Sequence, residues 1–211
     1  MPSKRETDRS TARQRILRQS LLMLSHSGFR GVTFGTLATN LGVSKSGLFS
    51  HFKSIDHLHL DTLRLAHRHW YNHTIALIPS RSTWTLESYF FLWLGWSEEA
   101  GLSKRCPVTQ AMFTLPALSE QLQVEVRRIA TEWQQTLVKL IDESVSNHQL
   151  MKGISVPNTV SELQSIYINH QMMVTMAAAN ARSEAERAFE TLKFRIKPPD
   201  APSKVTTSSP K

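Results

Sequence analysis

One stretch, VTFGTLATNLGVSKSGLFSHFKSIDHL at residues 32–58, constrains this chain more than any other part of it. Two short helices joined by a tight turn need a small residue where they cross. They also need a residue tolerant of left-handed backbone in the turn, and an apolar anchor on the second helix. Ala38, Gly42 and Leu48 stand at those places, with Val43 expected to close the turn into the core. Thr33 and Ser44 stand where a hydroxyl can cap the free amides that open each helix. The spacing therefore predicts a helix-turn-helix.

On both sides of this motif the apolar residues recur at helical intervals, and no alternating strand pattern is present. Leu17, Leu21 and Leu24 mark a first helix that stops near Gly28. A fourth is predicted over residues 54–78, closed by Pro79, and a fifth over 83–100, carrying Tyr89, Phe90, Phe91, Trp93 and Trp96. A short sixth begins at Cys106, and Pro116 separates it from a long helix marked by Leu122, Val126, Ile129, Trp133, Leu137 and Leu140. Residues 151–158 read as a loop. Leu163, Tyr167, Met173 and Ala177 mark an eighth helix, and residues 184–196 a last one. The expected fold is all-α, with residues 10–68 forming a three-helix helix-turn-helix domain and 69–196 a helical body. The polar ends, 1–9 and 197–211, are expected to be disordered.

Charge separates the two parts. The chain carries a formal +8, and residues 1–60 hold nine Lys or Arg against three Asp or Glu. A basic end on a nearly neutral body calls for an acidic partner, either nucleic acid or an anionic membrane surface. Spanning a membrane is not expected, because the apolar run at residues 88–101 is interrupted by Gly95, Glu98 and Glu99. The basic start leads into an amphipathic rather than a continuously apolar segment, so no signal peptide is expected. The single cysteine, Cys106, excludes an internal disulfide, and the expected location is the cytoplasm. No Gly-x-Ser-x-Gly, no glycine loop for phosphate and no metal-ligand set is present, so an enzyme is not expected and no cofactor is implied. A peripheral membrane protein, with the basic first helix lying in the interface, is the other rival class.

The segment GFRGVTFGTLATNLGVSKSGLFSHFKSIDHL resembles the DNA-binding signature of the TetR family, through Gly28, Thr33, Leu37, Ala38, Gly42, Val43, Ser44, Phe49 and Phe52. ARQRILRQSLLMLSHSGF is similar to that family's first helix. GLSKRCPVTQAMFTL, VRRIATEWQQTLVKLIDESVSNHQL and ELQSIYINHQMM resemble a TetR subgroup with a Cys-Pro start to the sixth helix, a Trp in the seventh and a Tyr in the eighth. The resemblance implies a transcriptional regulator, expected to be a repressor. It would bind double-stranded DNA at an approximately palindromic operator as a homodimer, and a small apolar or amphipathic inducer would release it. By the same resemblance Thr33 and Ser44 bind phosphate, and Lys45, Ser46 and Gly47 face base edges. The family's Tyr is Phe49 here and its Ser-Lys start to helix four is Ser54-Ile55, so His51 and Lys53 are the expected substitutes for lost phosphate contacts. Arg13, Arg15, Arg18 and Arg30 are further candidates. Dimerisation is expected through the last two helices, with Ala177, Ala178 and Ala179 permitting close approach.

In the body, Trp93, Met112, Phe113, Trp133, Tyr167 and Met173 suit either an ordinary core or the wall of a ligand pocket. His170 is either a core histidine or a polar group of that pocket. Cys106, behind Lys104 and Arg105, is either a stabilised thiolate open to oxidation or a small buried residue at the head of helix six. The pairs His57 with His59 and His69 with His73 lack a completing ligand, and no metal is expected there.

Overall fold

The computed structural model describes residues 4–77, 85–103 and 105–198, and of residues 4–9 the backbone alone. Every regular element among them is helical, as the periodicity requires. The first helix, α1 (Lys4–Gly31), begins within the segment expected to be disordered. Lys, Arg and Glu propagate a helix well once it is nucleated, and the nucleus here is fixed by burial of Leu17, Leu21 and Leu24. Gly28, at φ 67° and ψ −175°, breaks the regular helix where the sequence placed its end, and one further turn reaches Gly31. Next come α2 (Phe34–Leu41), α3 (Lys45–Phe49) and α4 (Ile55–His73).

Helix α4 is shorter than predicted. The Thr74 hydroxyl donates to the Trp70 carbonyl at 2.6 Å, Thr74 itself leaves helical geometry, and a single 3-10 turn covers Ile75–Leu77. Ile78, Pro79 and Thr83, on which the sequence placed the end of this helix and the start of the next, lie outside the described residues.

The body consists of α5 (Leu86–Glu99), α6 (Pro107–Phe113), α7 (Glu120–Ser146), α8 (Val156–Thr175) and α9 (Ala181–Ile196). Helix α8 starts inside the expected loop. Ser155 caps it by accepting from the Asn158 amide, and Pro157 falls in the first turn, where a missing N–H leaves no bond unmade. Its other end corrects the place expected for the three alanines: Ala177 has φ 56°, so Ala177, Ala178 and Ala179 form the turn into α9 rather than a helix face.

One contiguous core runs from Ile16 on α1 to Ile196 on α9. Helix α4 joins the two parts, packing against α1 on one side and against α5 and α7 on the other. Charged groups reinforce its seam with α7: Arg64 lies 3.8 Å from Glu125, and His67 Nε2 3.2 Å from Glu132. Arg128 bridges both carboxylates at 2.9 Å. No helix among the described residues is long and apolar enough to cross a membrane.

Candidate nucleic-acid interface

The surface of α2 and α3 is built by two local caps. At α2 the Thr36 amide donates to Thr33 Oγ1 at 3.1 Å, and the Thr33 amide donates back to Thr36 Oγ1 at 2.9 Å. This reciprocal arrangement satisfies two of the helix's free donors. At α3 Ser44 Oγ accepts from the Gly47 amide at 3.1 Å and lies 3.0 Å from Ser46 Oγ. Gly42, in left-handed geometry at φ 66°, joins the two helices, and its amide and that of Val43 bond the Thr39 and Ala38 carbonyls. Val43 contributes only that amide. Its side chain is 43% exposed, contrary to the inward role expected, because Leu37, Leu48 and Phe52 already fill the space beneath the turn.

Thr33, Ser44, Lys45, Ser46, Gly47, Phe49 and Lys53 are all exposed on this one surface, whereas His51 is half-buried. Gly35, which the sequence reading missed, lies beside them. A Cβ built there would stand 3.5 Å from Lys45 Cε, in ordinary van der Waals contact, so the lysine stem lies over the start of α2. Phe49 is 55% exposed, and its ring meets that of Phe34 at 4.4 Å between centroids. Next to α3 a hollow of about 310 Å³ is lined by Arg13, His51, Lys53, His57, Asp61 and Arg64. The Arg13 guanidinium bonds the Asp61 carboxylate and lies 4.9 Å over the Phe52 ring, which commits it to the fold. Arg15, Arg18 and Arg30 are exposed.

The histidine pairs divide. His59 is buried, with Nε2 2.8 Å from the Val32 carbonyl, and burial holds its imidazole below the usual value against the raising effects of that bond and of Asp56. His69 and His73 stack at 6.0 Å. Among the described residues no three His, Cys, Asp or Glu gather as a metal set.

In the body, Trp93 stacks on Tyr167 at 3.9 Å, and Trp133 meets both rings edge-on, at 5.8 Å from Trp93 and 5.9 Å from Tyr167. These three are core. His170, also buried, lines a cavity of about 450 Å³ with Leu94, Ser97, Glu98, Val174, Ala178 and Arg182. Met112 and Met173 are half-buried and Phe113 is exposed, so of the seven pocket candidates three are brought together in the core and only His170 lines this cavity. Glu98 and Arg182 were missed. For Glu98 the available signal was a carboxylate closing the apolar, aromatic stretch of α5; Arg182, on α9, had none. Cys106 is fully buried, with its sulfur accepting from the Thr109 amide at 3.4 Å and its own amide donating to Gln171 Oε1 at 2.7 Å. Burial pushes the thiol up from its usual value, which favours the capping role over the thiolate. Lys104, one of the cations meant to stabilise it, lies outside the described residues.

The profile of the bacterial regulatory proteins of the tetR family matches residues 16–61, and that of the tetracyclin repressor-like C-terminal domain matches residues 84–190. The chain belongs to the TetR family. TetR proteins are DNA-binding transcriptional regulators, and the exposed α2–α3 surface is the helix-turn-helix of one. Solved TetR-like structures share the fold. A TetR transcriptional regulator of Chloroflexus aurantiacus J-10-FL superposes with a TM-score of 0.77 at 16% identity, covering 89% of this chain and 95% of that one. A transcriptional regulator of Saccharomonospora viridis in complex with choline gives 0.74 at 16% identity, over 90% of this chain and 100% of its own. The reduced form of E. coli NemR gives 0.71 at 15% identity, over 90% and 99%. No curated protein matches this TetR chain in sequence.

Proposed function

We propose that the protein is a homodimeric, cytoplasmic repressor whose two α3 helices read adjacent major grooves of an approximately palindromic operator, and that a small amphipathic ligand releases it. The observation that carries the reading is the single exposed surface on which Thr33, Ser44, Lys45, Ser46 and Gly47 stand together. Thr33 and Ser44 would take phosphates at the helix ends, where free amides and the dipole already favour an anion. Lys45 would donate to a guanine edge. Gly47, where an added Cβ would meet only Ser44 Oγ at 3.3 Å, leaves space for a thymine methyl group. Phe49, His51 and Lys53 would flank the backbone. Residues 10–68 act as the reading head and 69–196 as the regulatory body.

The inducer would enter the cavity beside His170. It offers Leu94 and Val174 as apolar walls with Glu98 and Arg182 as charged ones, suiting a molecule with one polar end. That the Saccharomonospora viridis regulator of this fold was solved in complex with choline supports a small organic ligand. A coupling of about 1–3 kcal/mol between the sites would lower operator affinity roughly 5- to 150-fold.

The decisive test titrates the protein against its own upstream DNA and a scrambled duplex of equal length at two salt concentrations, with wild type and Lys45→Ala. Preferential binding to the upstream duplex that the substitution weakens is expected. Equal, steeply salt-dependent binding to both would refute specific recognition of that sequence.

A further inference from the structure

A second cavity, of about 330 Å³, lies where the reading head meets the body. Its walls come from both: Phe29 and Arg30 at the end of α1, Asp56 and His59 at the start of α4, and Gln110, Leu118, Ser119 and Leu122 from α6 to α7. Three polar groups there are left with capacity. Asp56 has no ion pair among the described residues. Ser119 Oγ is buried without a hydrogen-bond partner, although Ser119 stands at the N-cap of α7, because it makes no capping bond. His59 faces the Val32 carbonyl through Nε2, and a carbonyl can only accept, so Nε2 carries the hydrogen and Nδ1 is left as an acceptor.

Charge decides what this set would hold. Each helix end at the cavity carries about half an elementary charge; the ends of α1 and α6 are negative, while the starts of α4 and α7 are positive, so these oppose one another. Arg30 is exposed and keeps its charge in water. Of the two full charges on the wall, Asp56 is the more enclosed, half-buried and without an ion pair among the described residues, with Phe29, Leu118 and Leu122 lining the same space. We propose that this junction is a binding site for a small protonated primary amine. Its ammonium would donate to the Asp56 carboxylate and His59 Nδ1, and to Ser119 Oγ once that buried hydroxyl turns toward it, while a short hydrocarbon body lies against Phe29, Leu118 and Leu122. The site is separate from the cavity beside His170. Because its walls belong to two parts of the molecule, an occupant ties the head to the body.

The test uses the full chain without DNA, so its outcome does not depend on the repressor reading. n-Pentylammonium is titrated and followed by the amide and imidazole resonances of Ser119 and His59, with hexanoate as a probe of equal size and opposite charge. Saturable binding in the region of about 1 mM is expected for the amine and none for hexanoate. Asp56→Asn should weaken binding about tenfold or more, and Ser119→Ala by a few-fold, since that serine makes no cap whose loss would unfold α7. Glu98→Gln, at the other cavity, should leave the amine's affinity unchanged. The proposal is overturned by equal binding of the two probes, by an Asp56→Asn variant that is folded and binds as wild type does, by loss of binding in Glu98→Gln, or by no saturation in wild type.

Discussion

Phe49 exposes an apolar ring beside hydroxyls, amides and an ammonium group, and that ring packs on Phe34. A phenol at that position would extend the same ring toward the DNA backbone. Phe49→Tyr is therefore expected to raise affinity by about 2- to 12-fold, one net hydrogen bond, for specific and scrambled duplexes alike, because a phosphate contact carries no sequence. Fluorescence anisotropy on both duplexes checks this, and a gain confined to one of them would mean that residue 49 meets a base. His59 supplies a prediction of another kind. Its imidazole is held below the ordinary 6.5 by burial, so the unfolded chain takes up a proton first as pH falls. The stability from its neutral, buried state is complete above pH 6.5 and is lost progressively below it. His67 and His69, lowered mainly by burial as well, act in the same direction. Thermal unfolding of His59→Gln, whose amide can still donate to Val32, should show a shallower fall between pH 7 and pH 5 than wild type; parallel curves would remove His59 from the account.

The turn between α2 and α3 isolates what one backbone position is worth. Gly42 has φ 66° and nothing within 4 Å of where a Cβ would stand, so Gly42→Ala meets no clash and costs only the left-handed conformation. A loss of about 1–2 kcal/mol is expected in urea unfolding with an unchanged slope. A loss near zero would mean that the turn relaxes. This element was legible in the sequence because its determinants are local: two hydroxyl caps, one glycine and one anchor leucine within sixteen residues of chain. Other features were less so. Local bonds that compete with composition fix the end of α4, where the Thr74 hydroxyl folds back on Trp70, and the start of α8, where Ser155 caps a loop-like stretch, whereas the direction of Val43 depends on tertiary neighbours that fill the core. The candidate pocket depends on tertiary packing in the same way. An aromatic residue that walls a cavity and one that stacks on its neighbour have the same spacing, and only packing places Trp93 on Tyr167 and leaves the space beside Glu98 and His170.

At the scale of the molecule, α8 and α9 pack on one another and expose large apolar side chains at both ends of the pair. Met172 and Met176 are 50% and 73% exposed near the turn between them. Phe194 is 88% exposed at the opposite end, where Arg195 bonds Glu162. Large apolar side chains at both ends of one helix pair suit a two-fold interface, in which each end meets the other end of its partner. In the proposed dimer Phe194 would change from exposed to buried twice over, at about 1.5–3 kcal/mol each, so Phe194→Glu should weaken dimerisation by at least about two orders of magnitude. Because Phe194 adds almost nothing to the monomer core, far-UV circular dichroism should not change, while sedimentation should show a monomer at micromolar concentration. Operator affinity should fall by about 10²- to 10⁴-fold, since two reading heads would no longer share one attachment, and binding to a single half-site should be unaffected. A Phe194→Glu variant that remains dimeric would move the interface elsewhere. A wild type that sediments as a monomer would remove the physical reason for a palindromic operator.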